Sequence, residues 1–153
     1  SIPDFLKRFE QFPAVEINWL VYGSGGNKTK SSEPVMKRFR FHSQPDHYLN
    51  RHVKSIVNPR MVYTMIGCHE VARIKGKAAD SHGNPITRNF RQRTPQQDII
   101  RINHYAVRSL EEFREKQMRG RASGTQTSVP MEYFNQYDLN DIEEPAPNIS
   151  KNI

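Results

Sequence analysis

The strongest constraint on the fold lies in residues 99–121, where a short apolar stretch runs directly into an amphipathic helical pattern. The alternation in residues 99–105 predicts a strand with Ile100, Ile102 and His104 on one face. His104 then lies at the carboxyl end of a buried strand, which is where open α/β sheets bind their ligands. A core histidine is the alternative reading of the same pattern.

The helix after this strand carries its own start and stop signals. Ser109 is followed three positions later by Glu112, which is the spacing of a capping box, and Gly120 is suited to end the helix. Side chains four apart on a helix are neighbours, so we expect the ion pairs Glu112–Lys116 and Glu115–Arg119.

A second strand is predicted over residues 14–22, where residue types alternate. The alternation places Glu16 and Asn18 on one face and Trp19 on the other. The sequence GSGG follows at once, and Lys28 and Lys30 come soon after it. Glycines allow a backbone to approach a ligand closely, so the loop is suited to an anion; a flexible connector is the alternative.

The other predicted elements are helices over residues 1–12 and 131–144 and strands over residues 53–57, 61–66 and 68–74. Residues 33–41 fit either a helix or a strand, and residues 80–85 have the composition of a turn. Residues 75–98 read as a polar loop or hairpin excursion.

The chain has 153 residues, enough for one domain with a core, and a formal net charge of +7. The charge predicts an anionic partner, such as a nucleotide diphosphate, an acidic lipid or a nucleic acid. No run of 18 apolar residues occurs, which excludes a membrane-spanning helix. A single cysteine excludes an internal disulfide and is compatible with a reducing compartment.

Four segments carry a resemblance to a known family. They are INHY with RS-x-EEF and K-x-x-RGR in residues 102–121, INW-x-x-YGSGG in residues 17–26, VKSIVNP in residues 53–59 and YFNQYDLND in residues 133–141. In their order along the chain they resemble the carboxyl-terminal part of glycosyltransferase family 92 and its bacterial family 2-like relatives. Lys37 departs from the pattern, because similar enzymes carry an acidic residue there.

The resemblance implies an α/β fold: a partial GT-A-like mixed sheet with flanking helices and long polar loops over residues 1–144, followed by a tail at 145–153. Such enzymes move a sugar from a nucleotide-sugar donor to a glycan or other acceptor hydroxyl. They hold a divalent metal, Mn²⁺ or Mg²⁺, on an Asp-x-Asp motif. That motif does not occur in this sequence. The chain is therefore expected to be a fragment or a degenerate copy, incomplete as a catalyst by itself.

Sugar transfer assigns roles to the remaining candidates. The donor diphosphate needs basic side chains, and the candidates are Arg108, Lys116, Arg119, Arg121 and Lys54. The resemblance makes His104 a metal ligand that completes the missing acidic motif. The alternative for the basic residues after Ser109 is a solvated helix end stabilised by the helix dipole. Lys54 also fits an ordinary edge strand.

The acceptor side has weaker candidates. Trp19 offers a flat surface for a sugar ring, with Asn18, Gly23, Ser24 and Gly25 nearby in the sequence. Glu16 is the candidate general base. Core packing is the alternative for Trp19, since it shares a face with Ile17.

The competing function is a non-catalytic basic module that binds nucleic acid or anionic lipid. The arginines of residues 88–93 are dispersed without aromatic interleaving, so specific nucleic-acid binding is not expected. The basic charge also allows a peripheral contact with a membrane. We expect a location in the cytoplasm or at the cytoplasmic face of a membrane.

Overall fold

The longest strand of the chain, Ala14–Val21, is buried at every position. The computed structural model describes residues 1–67, 69–120 and 128–145. These residues form a mixed α/β structure with small sheets and a few helices. The chain divides into two compact units, Ser1–Leu20 with Pro45–Ile102 and Val21–Gln44 with Asn103–Ile153.

The described elements have the following bounds. The helices are α1 (Ile2–Leu6), α2 (Val35–Arg38), α3 (Leu110–Arg119) and α4 (Met131–Tyr137), and short 3₁₀ turns cover Lys7–Phe9, Tyr48–Arg51 and Phe90–Gln92. The strands are β1 (Ala14–Val21), β2 (Phe41–His42), β3 (Val53–Val57), β4 (Val62–Ile66), β5 (Glu70–Arg73), β6 (Ile102–His104) and β7 (Ile142–Glu143). None of the helices in these ranges has the length and apolar character needed to cross a bilayer.

β1 is the central strand of a three-stranded sheet with the order β3-β1-β6. It pairs antiparallel with β3, so that Ala14 lies opposite Val57 and Asn18 opposite Val53. In the first unit, Val15 and Ile17 pack with Phe9 and Ala79. A polar segment also contacts β1: the Gln96 amide donates to Asn18 Oδ1 at 3.1 Å, and Gln97 Nε2 donates to the Trp19 carbonyl. Burial of β1 therefore includes its polar side chains.

Two antiparallel strand pairs complete the sheets. β4 and β5 form a hairpin in the first unit, and β2 pairs with β7 in the second. Residues 80–85 form the predicted turn, in which Asp80 Oδ1 accepts from the amides of His82 and Asn84 at 2.9 Å.

The second unit is organised around α3. Phe113 on α3 is fully buried and packs with Ala106, Val107, Val129 and Phe134. The capping box is formed as predicted: the Glu112 amide donates to Ser109 Oγ at 3.3 Å, and the Ser109 amide donates to Glu112 Oε2 at 3.3 Å. Gly120 ends the helix with a φ of 74°.

Several helices and strands are shorter than predicted. The amino-terminal helix ends at Leu6 and continues as a 3₁₀ turn, and the strand expected over residues 99–105 covers only Ile102–His104. The helix expected over residues 131–144 ends at Tyr137, because the following residues turn toward β7. Residues 33–41 contain a short helix and the start of a strand, so both readings were partly correct.

Candidate functional site

The segment after the GSGG loop contacts the first turn of α3. The amides of Leu110 and Glu111 donate to the carbonyl oxygens of Asn27 and Lys28, at 3.2 and 3.0 Å. The Lys30 amide returns a hydrogen bond to Glu111 Oε2 at 2.6 Å. These contacts satisfy amides at the start of α3 and fix residues 27–30 beside it. Lys30 is thereby held next to the helix.

The GSGG loop itself is held by the segment after α4. The Ser24 amide donates to Asp138 Oδ1 at 2.5 Å and the Gly25 amide donates to Asn140 Oδ1 at 2.7 Å. The Gly26 amide donates to the hydroxyl of Ser24 at 3.1 Å. The amides that were expected to surround an anion are thus engaged by side chains of the same unit. Gly23, Ser24 and Gly25 form a clamped turn and not an open anion cradle.

A cavity of about 460 Å³ lies beside α3 in this unit. Its lining contains four cationic side chains and two carboxylates, and backbone from the turn between β6 and α3 completes it. The lining residues are Lys30, Tyr105, Ala106, Val107, Arg108, Glu112, Glu115, Lys116 and Arg119. The excess of cations over carboxylates makes this cavity suited to an anionic ligand.

The cations of the cavity differ in how they are held. Lys30 Nζ lies 2.9 Å from Glu115 Oε2, and the hydrogen bond that Lys30 donates to Glu115 raises the pKa of Lys30. Lys116 Nζ donates to the Ala106 carbonyl at 2.8 Å and lies 4.9 Å from the centre of the Tyr133 ring. Glu115 pairs with Lys30 and Glu112 with Arg38, and the helical spacing predicted neither of these partners.

Arg108, Arg119 and Lys30 are exposed cations of the cavity, and Lys30 is the one paired with Glu115. Arg108 Nη1 lies 3.7 Å from Glu112 Oε1, and the backbone of Arg108 has a φ of 58°. This left-handed conformation is uncommon for a residue with a Cβ atom, and such residues are concentrated at binding and catalytic sites. The arginine thus enters the cavity lining from a strained turn.

His104 lies at the end of β6, as predicted, with its side chain half-buried. Its carbonyl accepts from the Tyr22 amide at 3.1 Å, and its ring centre lies 6.2 Å from that of Tyr137. In the part of the chain that the structure describes, no three His, Cys, Asp or Glu side chains come together as a metal site. The role of His104 as a metal ligand stays a prediction.

Glu16 and Asn18 lie in the first unit, where both are buried. The carboxylate of Glu16 contacts the Arg93 guanidinium, and burial raises the pKa of Glu16 while Arg93 opposes the rise. Asn18 Nδ2 donates to the carbonyls of Asn50 and Arg51, at 3.1 and 3.2 Å, and its Oδ1 accepts from Gln96. Both side chains thus have structural partners within their own unit.

Trp19 is only 6% exposed. Its ring stacks on His52 with centres 4.9 Å apart, and His69 lies 5.4 Å away. Lys54 Nζ lies 5.7 Å from the same ring. Trp19 therefore packs in the core, which was the alternative to sugar binding. A buried and stacked indole does not present a flat surface to a sugar. Lys54 is half-buried beside this cluster, and Arg121 lies outside the described residues.

Sequence reasoning missed the residues that hold the loop and complete the cavity. Asp138 and Asn140 carry no local signal for this role, since their partners Ser24 and Gly25 are far away in the sequence; Tyr105 lines the cavity next to Ala106. Lys30 was named with the GSGG loop as part of a possible anion site, but its place beside α3 was not predicted.

Comparison with known proteins identifies no relative of this chain. No family model, no curated protein and no solved structure matches the chain.

Proposed function

We propose that this chain is the carboxyl-terminal part of a nucleotide-sugar glycosyltransferase and that the basic cavity beside α3 binds the diphosphate of the donor. The cavity is the observation that carries the proposal. It combines about 460 Å³ of space with Lys30, Arg108, Lys116 and Arg119 in its lining. A diphosphate leaving group needs such charge, because negative charge develops on it during transfer.

The arrangement of the family-like segments supports the same proposal. Residues 23–27, residues 103–120 and residues 133–141 are separated in the sequence, yet all belong to the second unit. They contact one another through the hydrogen bonds of Asp138 with Ser24 and of Leu110 with Asn27. Three of the four segments that suggested the family therefore line the cavity or hold the loop beside it, whereas residues 53–59 lie in the first unit.

The roles within the cavity follow from the contacts. Arg108 and Arg119 are exposed and are proposed to bind phosphate oxygens, where a guanidinium can donate two parallel hydrogen bonds. Lys30 and Lys116 are already held by Glu115 and Ala106, so they are proposed to add positive charge from fixed positions.

The remaining parts of a transferase stay proposals. A divalent cation would neutralise charge on the leaving diphosphate. His104 is the ligand proposed from this chain, which has no Asp-x-Asp motif to supply the acidic ligands. The contacts do not support Glu16 as the general base, because its carboxylate forms an ion pair with Arg93.

Inorganic pyrophosphate tests the binding site without a choice of nucleotide or sugar. Calorimetric titration of the 153-residue chain is expected to detect binding, and Arg108→Gln or Arg119→Gln should each weaken it about tenfold. Arg114→Gln is the matched control, since Arg114 is an exposed arginine of α3 outside the cavity lining. Equal losses in all three variants, or unchanged binding in the two cavity variants, would count against the site.

A panel of nucleoside diphosphates then tests the proposed donor class. At least one member should bind more tightly than pyrophosphate and show the same dependence on Arg108 and Arg119. If pyrophosphate binds in the cavity but no nucleoside adds affinity, the anion site stands and the glycosyltransferase assignment falls.

A further inference from the structure

The hairpin of β4 and β5 in the first unit exposes an unusual amount of apolar surface. Tyr63 is 83% exposed, Met65 51%, Ile66 57% and Ile74 62%. Single exposed apolar residues are ordinary, but several grouped on one hairpin indicate an interaction surface. The pairing of β4 with β5 shifts register between Val62 and Thr64, which gives β4 an extra residue at Tyr63.

Both faces of this hairpin are apolar near its end. Met65 lies opposite Val71 and Ile66 lies opposite Glu70. Adjacent residues of a strand point to opposite faces, so the exposed side chains of Met65 and Ile66 project in opposite directions. A flat partner would cover only one of them. A medium that surrounds the end of the hairpin would cover both.

Basic side chains accompany the apolar ones. The exposed basic residues of the hairpin and its flanks are Arg60, Arg73, Lys75 and Lys77. Glu70 is the only acidic residue in residues 59–77, and its carboxylate accepts a hydrogen bond from Asn89 Nδ2 at 3.2 Å. The surface therefore combines apolar side chains with a strong excess of positive charge.

We propose that this hairpin is a membrane-docking element that enters the headgroup region of a bilayer rich in anionic lipid. Apolar side chains that penetrate the interface by roughly 5–10 Å, with lysines and arginines against anionic headgroups, are the known physical basis of such binding. Each basic residue near the surface adds about 1 kcal/mol, and tyrosine favours the interface because it has an apolar ring and a polar hydroxyl.

Two other partners fit this surface less well. The core of a protein–protein interface is depleted of charged residues, and lysine in particular, whereas this hairpin carries four exposed cations among its apolar side chains. Single-stranded nucleic acid binds on aromatic stacking platforms, but Met65, Ile66 and Ile74 are aliphatic and cannot provide them. The proposal is independent of the diphosphate cavity, which lies in the other unit.

Sedimentation with lipid vesicles tests the proposal on the full 153-residue chain. Vesicles of phosphatidylcholine with about a third phosphatidylserine should bind the protein, and pure phosphatidylcholine vesicles should bind it much less. Raising the salt from 0.1 M to 0.5 M should weaken binding, because the Debye length is about 10 Å at 0.1 M and shortens as salt increases.

Two sets of variants separate the apolar and the electrostatic contributions. Met65→Ser with Ile66→Ser should weaken partitioning at least about tenfold, since two apolar side chains no longer enter the interface. Lys75→Gln with Lys77→Gln should weaken it about thirtyfold on anionic vesicles only. Met118→Ser and Lys37→Gln are the matched controls; Met118 is 82% exposed on α3 and Lys37 is exposed on α2. Thermal unfolding must be unchanged in every variant that is compared.

Four outcomes would overturn the proposal. The first is no binding to either kind of vesicle, and the second is vesicle binding that the controls reduce as much as the hairpin variants do. The third is a concentration-dependent dimer that Met65→Ser with Ile66→Ser dissociates, which would assign the surface to a second copy. The fourth is tight RNA binding through the hairpin at physiological salt. Selective loss of anionic-vesicle binding in both hairpin variants would support the proposal.

Discussion

Arg38 and Glu112 form a buried ion pair that joins α2 to the capping box of α3. Arg38 Nη2 lies 3.0 Å from Glu112 Oε2, and the two side chains are 4% and 10% exposed. The same carboxylate oxygen accepts from the hydroxyl of Ser109 at 2.7 Å and from the Ser109 amide. One local capping carboxylate therefore also holds a distant part of the same unit.

Removal of the arginine should leave this carboxylate buried without its cation. We expect Arg38→Met to lower the free energy of unfolding by about 3 kcal/mol, measured by urea denaturation. Lys37→Met, at the exposed neighbouring position, should change it by less than about 0.5 kcal/mol. Equal small effects in the two variants would show that the pair contributes little.

The pH dependence of stability should report the same carboxylate. Burial alone would raise the pKa of Glu112, but hydrogen bonds from Ser109 and Arg38 outweigh it and hold the pKa below its usual value of 4.5. The unfolded chain then binds the proton first, so the stabilisation is present above pH 4.5 and is lost as the pH falls through the lower folded pKa.

Glu112→Gln provides the comparison for this pH effect, because glutamine can keep a capping box without a charge. Denaturation curves between pH 6 and 3 should fall less steeply with acid in the variant than in the unsubstituted chain. Parallel curves would contradict the assignment to Glu112.

His52 should make the first unit sensitive to mild acid. Burial against Trp19 lowers the pKa of His52 below the ordinary value of 6.5, with the nearby cationic groups acting in the same direction. Stability is therefore expected to be complete above pH 6.5 and to decline as the pH falls through the folded pKa. Fluorescence of Trp19, the single tryptophan, measures unfolding of this unit directly.

His52→Phe should flatten that decline, since the ring remains apolar at every pH. His82→Gln is an informative control: a hydrogen bond from the His82 ring to the Asp98 carboxylate raises the pKa of His82, so its contribution has the opposite sign and fades as the pH rises. A decline that His52→Phe leaves intact would assign the acid sensitivity to another group.

Gly23 should tolerate no side chain. A Cβ atom there would lie 2.5 Å from the carbonyl oxygen of Leu139 and would overlap Asn140 Oδ1. We expect Gly23→Ala to destabilise the second unit by about 2 kcal/mol, because the clamped turn must move. Adding Asn140→Ala should recover only part of the loss, since the Leu139 carbonyl remains; full recovery would place the conflict in the Asn140 side chain alone.

The chain alone is expected to bind diphosphate without transferring sugar, because it lacks an Asp-x-Asp motif. Incubation with Mn²⁺ and a panel of nucleotide sugars should give no more product or donor hydrolysis than His104→Ala. Turnover well above that control would show that the acidic ligands are not required.

Local features were read correctly from the sequence. The capping box of Ser109, the stop at Gly120, the turn at Asp80 and the strand β3 depend on residues within a few positions of one another. Hydrogen bonds of this range form wherever the segment is placed, so their patterns predict them.

Burial on both faces of β1 could not be read in this way. Alternation in residues 14–22 suggested one polar face available to a substrate, and Glu16, Asn18 and Trp19 became candidates for chemistry. Because the strand is central and is covered by residues 93–97, these side chains are packed against partners instead. Burial is a property of the sheet order, which periodicity does not contain.

Some of the residues that line the cavity could be identified from the sequence, but their arrangement around the cavity could not. Arg108, Lys116 and Arg119 were identifiable as basic residues near the start and along one side of a helix, whereas Lys30 joins them only through the contact of residues 27–30 with α3. The sequence by itself determined where α3, β3 and the turn at Asp80 begin, since their signals are short-range. The tertiary structure decided which charges meet, because pairs such as Lys30–Glu115 and Arg38–Glu112 form only when distant segments are brought together.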